Sequence, residues 1–377
     1  MQTAIPSLFM RGGSSRGPFF LASDLPADAA TRDRVLLAVM GSPDRRQIDG
    51  MGGAHPLTSK VGIVGPSQTP GVVLDFLFAQ LQPDQSTVDT TPNCGNMLAA
   101  VVPFAIERGL VLPDGDTTTV RVLTLNTGMQ CDVTVQTPLT PTGRCVDYDG
   151  EARIDGVPGT SAPITINFLD TAGSVCSGLL PTGKVRDELT VSGDGFAAFT
   201  LPVTCIDNGM PLVILRASDV GCTGYESVAE LNANTELKQR IEALRIQSGK
   251  LMGLGDVTAK NYPKMTLIAP PRAGGSLSTR AFIPHVCHDA IGVLAAVTVG
   301  TACVLPGSVT DGVVQLPADA TPAATVISIE HPTGEFSVEL GRDPANPQTV
   351  TRAALLRTAR LLMRGEVMVP ASIWKGH

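Results

Sequence analysis

The sequence predicts an α/β (α+β) fold of two similar domains, each a mixed sheet wrapped around a central apolar helix. Three observations carry this expectation. The chain has 377 residues, and domains typically span roughly 100–200 residues. It holds 39 Gly and 29 Pro, a turn-rich composition that favours many short strands. Leu98-Ala99-Ala100-Val101 recurs as Leu294-Ala295-Ala296-Val297. Each copy lies in an apolar helix preceded by a polar turn and flanked by strand-like segments. Coincidence among common residues is the competing explanation, and the shared context argues for a repeat. The expected domains are 1–185, joined by the C-terminal segment 361–377, and 186–360. A ligand is expected in the cleft between the two copies, facing both helix N-termini.

The elements follow in order. Ile5–Met10 and Pro18–Leu21 read as strands around a glycine-rich turn. Thr31–Met40 has a helical pattern, and Gly41–Gly53 reads as loop. Ser59–Val64 and Val72–Gln80 read as strands, with apolar residues continuous or alternating. Leu98–Ile106 is the first apolar helix. Val120–Leu125 and Cys131–Gln136 form a hairpin around Asn126-Thr127-Gly128, and Ile164–Phe168 is strand-like. Pro181–Gly195 reads as a boundary. Beyond it Leu201–Ile206 and Leu212–Arg216 are strands, and Ser227–Ser248 is one charged amphipathic helix covering the domain. Lys264–Ala269 and Ser278–Ile283 are strands before the second apolar helix, Ala290–Ala302. Ala324–Ile329, Glu335–Leu340 and Thr358–Val369 complete the strands.

Composition narrows the partners. The formal net charge is −7 and no Lys/Arg run stands out, which argues against nucleic acid or an anionic membrane as partner. Aromatic residues make up 4%, so the cores must be built from Val, Leu, Ala and Ile. The eight cysteines are dispersed without a C-x-x-C pair and read as reduced thiols. The start of the chain lacks a basic segment followed by a long apolar one. The longest apolar run, Ile291–Leu305, is shorter than the roughly 20 residues of a membrane span. A cytoplasmic protein is expected.

Asn93-Cys94-Gly95-Asn96-Met97 is the most informative stretch. It stands where an extended segment gives way to the first apolar helix. A cysteine at a helix N-terminus meets free N–H groups and the positive end of the helix dipole, which favour a thiolate. Gly95 permits close approach of a ligand to backbone donors able to hold a carboxylate or enolate oxygen. Such a site suits proton transfer beside a carboxylate. A small buried structural cysteine is the competing reading. Lys60 opens a strand that reads as buried. It fits a desolvated base or a side chain snorkelling from a strand end. Met10–Gly17 offers Arg11, Ser14, Ser15 and Arg16 with several glycines, either an anion-binding nest or a hairpin turn needing positive φ. Arg280, at a strand end shortly before the second helix, fits a bidentate carboxylate clamp. His285-Val286-Cys287-His288 suggests zinc, but no second ligand cluster exists to complete a tetrahedral site. A substrate contact or a cap at the helix entrance suits His288 better. No Ser-His-Asp order or G-x-S-x-G elbow supports a hydrolase.

Together these segments resemble a known family. They are Met10–Gly17, Gly41–Gly50, Leu57-Thr58-Ser59-Lys60-Val61, Asn93–Asn96, Thr204–Pro211, Arg280–His285, Glu330–Glu335 and Arg357–Arg360. The chain resembles the 4-oxalomesaconate tautomerase/isomerase group, within the wider 2-methylaconitate isomerase family. The resemblance implies a diaminopimelate epimerase-like fold and assigns the acid/base pair to Lys60 and Cys94. Epimerases of that fold use one cysteine from each half, whereas Cys94 aligns with Ala290 here. That departure argues against racemisation and fits a 1,3-proton shift. Substrate contacts are expected from Arg11, Ser14, Ser15, Arg16, Ser59, Asn93, Gly95, Asn96, Met97, Asn208, Met210, Arg280, His285 and His288. The implied substrate is a small polycarboxylate. No metal and no other cofactor is expected, and a homodimer is possible. The resemblance further implies a role in bacterial degradation of gallate or protocatechuate. The alternatives are 2-methylaconitate isomerisation and a non-catalytic polycarboxylate-binding helper.

Overall fold

The computed structural model describes residues 1–169, 171–193, 195–346 and 349–376. The chain divides into two compact units, Met1–Leu169 with Leu356–His377, and Asp170–Leu355. In the first unit β1 (Gln2–Gly12) and β2 (Ser15–Leu21) form an antiparallel hairpin. Helix α1 (Ala29–Met40) crosses to β3 (Lys60–Pro66), which lies parallel to β2. Strand β4 (Leu74–Leu81) returns antiparallel to β3. Helices α2 (Gly95–Leu98) and α3 (Val101–Glu107) cross to β5 (Thr117–Thr124), parallel to β4. Strands β6 (Met129–Gln136) and β7 (Ile164–Phe168) then add antiparallel pairs.

The second unit opens with β8 (Asp187–Gly193) against β9 (Phe196–Asp207), and β10 (Pro211–Arg216) pairs antiparallel with β9. Helices α4 (Val228–Ala233) and α5 (Thr235–Leu251) cross to β11 (Lys264–Ala269), parallel to β10. Strand β12 (Leu277–Phe282) is antiparallel to β11. Helix α6 (Val293–Val304) crosses to β13 (Thr325–His331), parallel to β12. Strands β14 (Gly334–Arg342) and β15 (Val350–Arg357) follow as antiparallel neighbours. In the first unit β16 (Ala359–Pro370) pairs antiparallel with β1.

From β1 and from β9 the pairing sequence is the same: antiparallel, parallel, antiparallel, parallel, antiparallel, antiparallel. The helices fall in the same two crossovers, as parallel pairs require. The repeat seen in four residues is therefore a repeat of topology. It makes β3 the counterpart of β11, and α2 with α3 the counterpart of α6. Both central helices are buried on all sides, over Met97–Ala105 and Ala295–Val304, as the absence of charge from either segment requires. Small residues let strands close on them. A Cβ on Gly300 would meet the Leu340 side chain at 3.1 Å.

Several expectations need correction. The first apolar helix is not continuous: α2 ends at Leu98 and α3 begins at Val101. Pro103 lacks an N–H and its ring crowds the carbonyl four residues back, so the helix restarts with proline in its first turn. The charged helix is also two, because the Asn234 side chain accepts the Leu237 N–H and caps α5. The Gly/Asp/Ser stretch read as a boundary contains β8, whose residues alternate between buried and exposed through Val191. Val350–Arg357 is a strand as well. Its charged residues mask a buried Ala353-Ala354-Leu355 core.

Candidate active site

Lys60 is the first residue of β3 and only 8% exposed. Gly17 makes this placement possible, since a Cβ there would lie 1.7 Å from the Lys60 carbonyl oxygen. The Lys60 Nζ donates to Gln80 Oε1 and stands 4.9 Å from the centroid of the Phe78 ring. Phe78 and Gln80 share one face of β4, and Gln80 is the cross-strand partner of Lys60. Ser59 is fully buried, and its hydroxyl donates to Gln47 Oε1 at 2.7 Å.

Cys94 is half-buried and occupies the N-cap of α2 with extended backbone; its carbonyl accepts the Leu98 N–H at 2.9 Å. No side chain caps this helix, so the N–H groups of its first turn lack an intrahelical partner. Asn93 Nδ2 donates to Thr124 Oγ1 at 3.0 Å and to Thr127 Oγ1 at 2.9 Å. Asn96 meets the β1–β2 turn. Its Nδ2 donates to Ser14 Oγ at 3.1 Å and to Ser15 Oγ at 3.4 Å. A Cβ on Gly12 would lie 2.3 Å from the Asn96 carbonyl oxygen, and one on Gly13 would lie 2.1 Å from Asn96 Oδ1. The glycines thus seat the helix head on the hairpin, and Gly13 has φ +52° besides. Met97 is buried beneath this junction. Arg11 Nη1 donates to Gly13 O, Thr358 O and Thr358 Oγ1, and Nη2 to Ser161 Oγ. Burial, then the neighbouring charge of Arg360, lowers its pKa. Arg16 is exposed, with its guanidinium carbon 5.8 Å from the Phe9 ring centroid. One hairpin therefore gathers Lys60, the Cys94 helix head, Ser14, Ser15 and the two arginines.

The second unit's candidates fall in two places. The Asn208–Met210 turn rests on α6, with Gly209 at φ +93°. Asn208 accepts from Thr171 Oγ1 at 2.6 Å and donates to Thr301 Oγ1 at 2.8 Å. Thr298 Oγ1 donates to the carbonyls of Asn208 and Met210. Arg280 lies in β12, 8% exposed, with Nε donating to Glu226 O and Nη1 to Thr279 O. Burial lowers its pKa. After β12, the exposed His285 places Nδ1 3.3 Å from Glu242 Oε2, and His288 is exposed. Cys287 is buried, and that burial pushes its thiol up to about 11 against the opposing charge of Arg280. Among the described residues no three His, Cys, Asp or Glu side chains are grouped to hold a metal ion.

Sequence reasoning passed over Gln80 and Lys264. Lys264 is the first residue of β11, as Lys60 is of β3. Burial lowers its pKa. Among the described residues no hydrogen-bond or ion-pair partner engages its amine, and Nζ would lie 4.0 Å from a Cβ on Gly292, the N-cap of α6. The topological repeat is the signal that could have found it, because each half begins the same strand with lysine.

The chain matches relatives along its whole length. It is 56% identical over 364 residues to a (4E)-oxalomesaconate Delta-isomerase of Novosphingobium sp. (strain KA1), covering 97% of each chain. It is 50% identical to a 4-oxalomesaconate tautomerase of Pseudomonas putida, covering 100% of this chain and 99% of that one. The crystal structure of a methylitaconate-delta-isomerase superposes with a TM-score of 0.83 at 34% identity, covering 99% of this chain and 97% of that one. With this likeness and the repeated pairing order, the architecture is diaminopimelate epimerase-like. The PrpF protein family model matches residues 2–370, and the chain belongs to that family.

Proposed function

We propose that this protein is an isomerase that performs a 1,3-proton shift on a small unsaturated polycarboxylate, with 4-oxalomesaconate as its substrate. The observation that carries this reading is the gathering of Lys60 and the Cys94 helix head on one glycine-rich hairpin. Lys60 removes a proton from carbon conjugated with a carboxylate or keto group. The negative charge spreads into a dienolate, held by N–H groups at the start of α2 and by the Ser14/Ser15 side of the hairpin. Cys94 returns a proton two atoms away. Arg11 and Ser59, whose polar atoms are engaged internally, shape the site. These acid/base groups need no metal or organic cofactor for such a step. The reading includes a cytoplasmic setting, since all eight cysteines are unpaired, and a place in gallate or protocatechuate degradation.

Purified protein given 4-oxalomesaconate in D₂O, followed by proton NMR, tests this. Turnover with deuterium in the product is expected, and 2-methylaconitate should turn over more slowly. Absence of turnover would sink the isomerase reading in favour of a binding protein. Full retention of the original proton would replace the two-group mechanism by a single shielded base.

Within the second unit, Arg280 and Lys264 are the cations proposed to bind carboxylate. Each substitution to Met should raise KM about 10- to 100-fold, matching a charge-assisted hydrogen bond of about 1.5–3 kcal/mol. The pH dependence separates them. The Lys264 ammonium is lost as pH rises through a pKa that burial has lowered. KM should therefore climb on the alkaline side in the native enzyme, and less so in Lys264→Arg. Steady-state kinetics across pH checks this, and an unchanged KM in Lys264→Met would make that residue structural.

A further inference from the structure

We propose that Gln80 is a positioning residue for the Lys60 amine, an inference that rests on the isomerase reading above. Gln80 Nε2 donates to three backbone carbonyls, those of Pro56 at 3.1 Å, Ser59 at 3.2 Å and Leu81 at 3.0 Å. Rotating the amide would set Oε1 against three acceptors, so the hydrogen-bond network fixes its orientation. Oε1 is thereby turned to Lys60 Nζ, which donates to it. The Phe78 ring, two residues earlier on the same face of β4, takes a second direction around Nζ.

A tetrahedral nitrogen has four directions. One is the bond to Cε, one goes to Gln80 and one to the ring. The remaining direction is where substrate must sit for Lys60 to take its proton, so the amide and ring together aim the base. β4 is itself held at this point. The Phe78 N–H donates to Asn126 Oδ1 at 2.9 Å, and Asn126 Nδ2 donates to Phe78 O at 2.8 Å. Asn126 stands in the same β5–β6 turn as Thr127, which receives Asn93 next to Cys94. One turn thus braces the strand behind the base and the segment before the thiol.

Gln80→Met tests the inference, because it keeps length and removes both the acceptor and the pinned donors. kcat should fall about 10- to 100-fold, the scale of a misaimed catalytic group. KM should stay within about twofold, since no substrate contact is lost. Exchange of the substrate proton in D₂O should fall with kcat. On a Lys60→Met background the same change should alter the residual rate by less than about twofold, because Gln80 acts through the amine. Gln80→Asn retains an amide one methylene shorter, and should also lower kcat at constant KM if Gln80→Met does not fold by circular dichroism. An unchanged kcat in the folded single variants overturns the proposal. So does an equal loss with and without Lys60, which marks a general structural role. If the native protein fails to isomerise the substrate at all, the isomerase reading itself fails. If the native protein turns over and the Gln80 variants match it, that reading stands without this inference.

Discussion

Lys60→Met should lower kcat about 10²–10⁴-fold while the chain remains folded. Methionine keeps the length of the side chain, so Gly17 and the Lys60 carbonyl can stay in contact at the head of β3. What disappears is the amine. Gln80 Oε1 loses its donor at a half-buried position, and a typical hydrogen bond contributes a net of about 0.5–1.5 kcal/mol. A domain's total stability is about 5–15 kcal/mol, so the melting temperature should drop without loss of the fold. The Phe78 ring, which faces Nζ at 4.9 Å, packs equally well against a thioether. Rapid-quench assays give kcat, and circular dichroism gives the melt. A variant that keeps near-native kcat would place Lys60 among structural lysines and remove the base from the mechanism.

The fold was legible where periodicity and repetition coincide. The hairpin strands, α1, the two central helices and most strands of both halves stand near their expected ranges. The breaks inside helices were not legible from periodicity, because Pro103 and Asn234 interrupt apolar patterns without changing them. Single-sequence patterns show which face is apolar, and such breaks depend on backbone donors. The Cys94 helix head and Lys60 were visible as residue types in suggestive places. Their common support was only partly visible. Gly12, Gly13 and Gly17 read as turn glycines, whereas their contacts with Asn96 and Lys60 depend on long-range packing. Gln80 carries no motif and emerges only from cross-strand register. Lys264 stayed hidden because four matching residues located the repeat at the helices, while its strand heads match in topology. The thiols differ in environment in a way composition cannot convey. Burial pushes Cys131 and Cys205 up to about 12, so neither is suited to donate or accept protons near neutrality. Cys94 alone stands at the head of a helix.

That contrast sets up the second large effect, on Cys94→Ser. Serine keeps the size and the N-cap position, and a serine hydroxyl is a good cap in its own right, so the fold should be retained or slightly stabilised. Its hydroxyl is a far weaker acid than a thiol, and return of the proton to the far carbon should slow. Turnover should fall about 10²–10⁴-fold, the usual contribution of a general acid or base. Lys60 is untouched and keeps its contacts with Gln80 and Phe78. It should still remove the first proton, and bound substrate should still return it or exchange it with solvent. Incubation with 4-oxalomesaconate in D₂O therefore separates the two steps by NMR. Substrate recovered from Cys94→Ser should carry deuterium although little product forms, whereas substrate recovered from Lys60→Met should carry none. The reverse pattern, exchange in Lys60→Met and none in Cys94→Ser, would exchange the roles of the two groups. Near-normal turnover in both variants would move the active site away from the β1–β2 hairpin altogether.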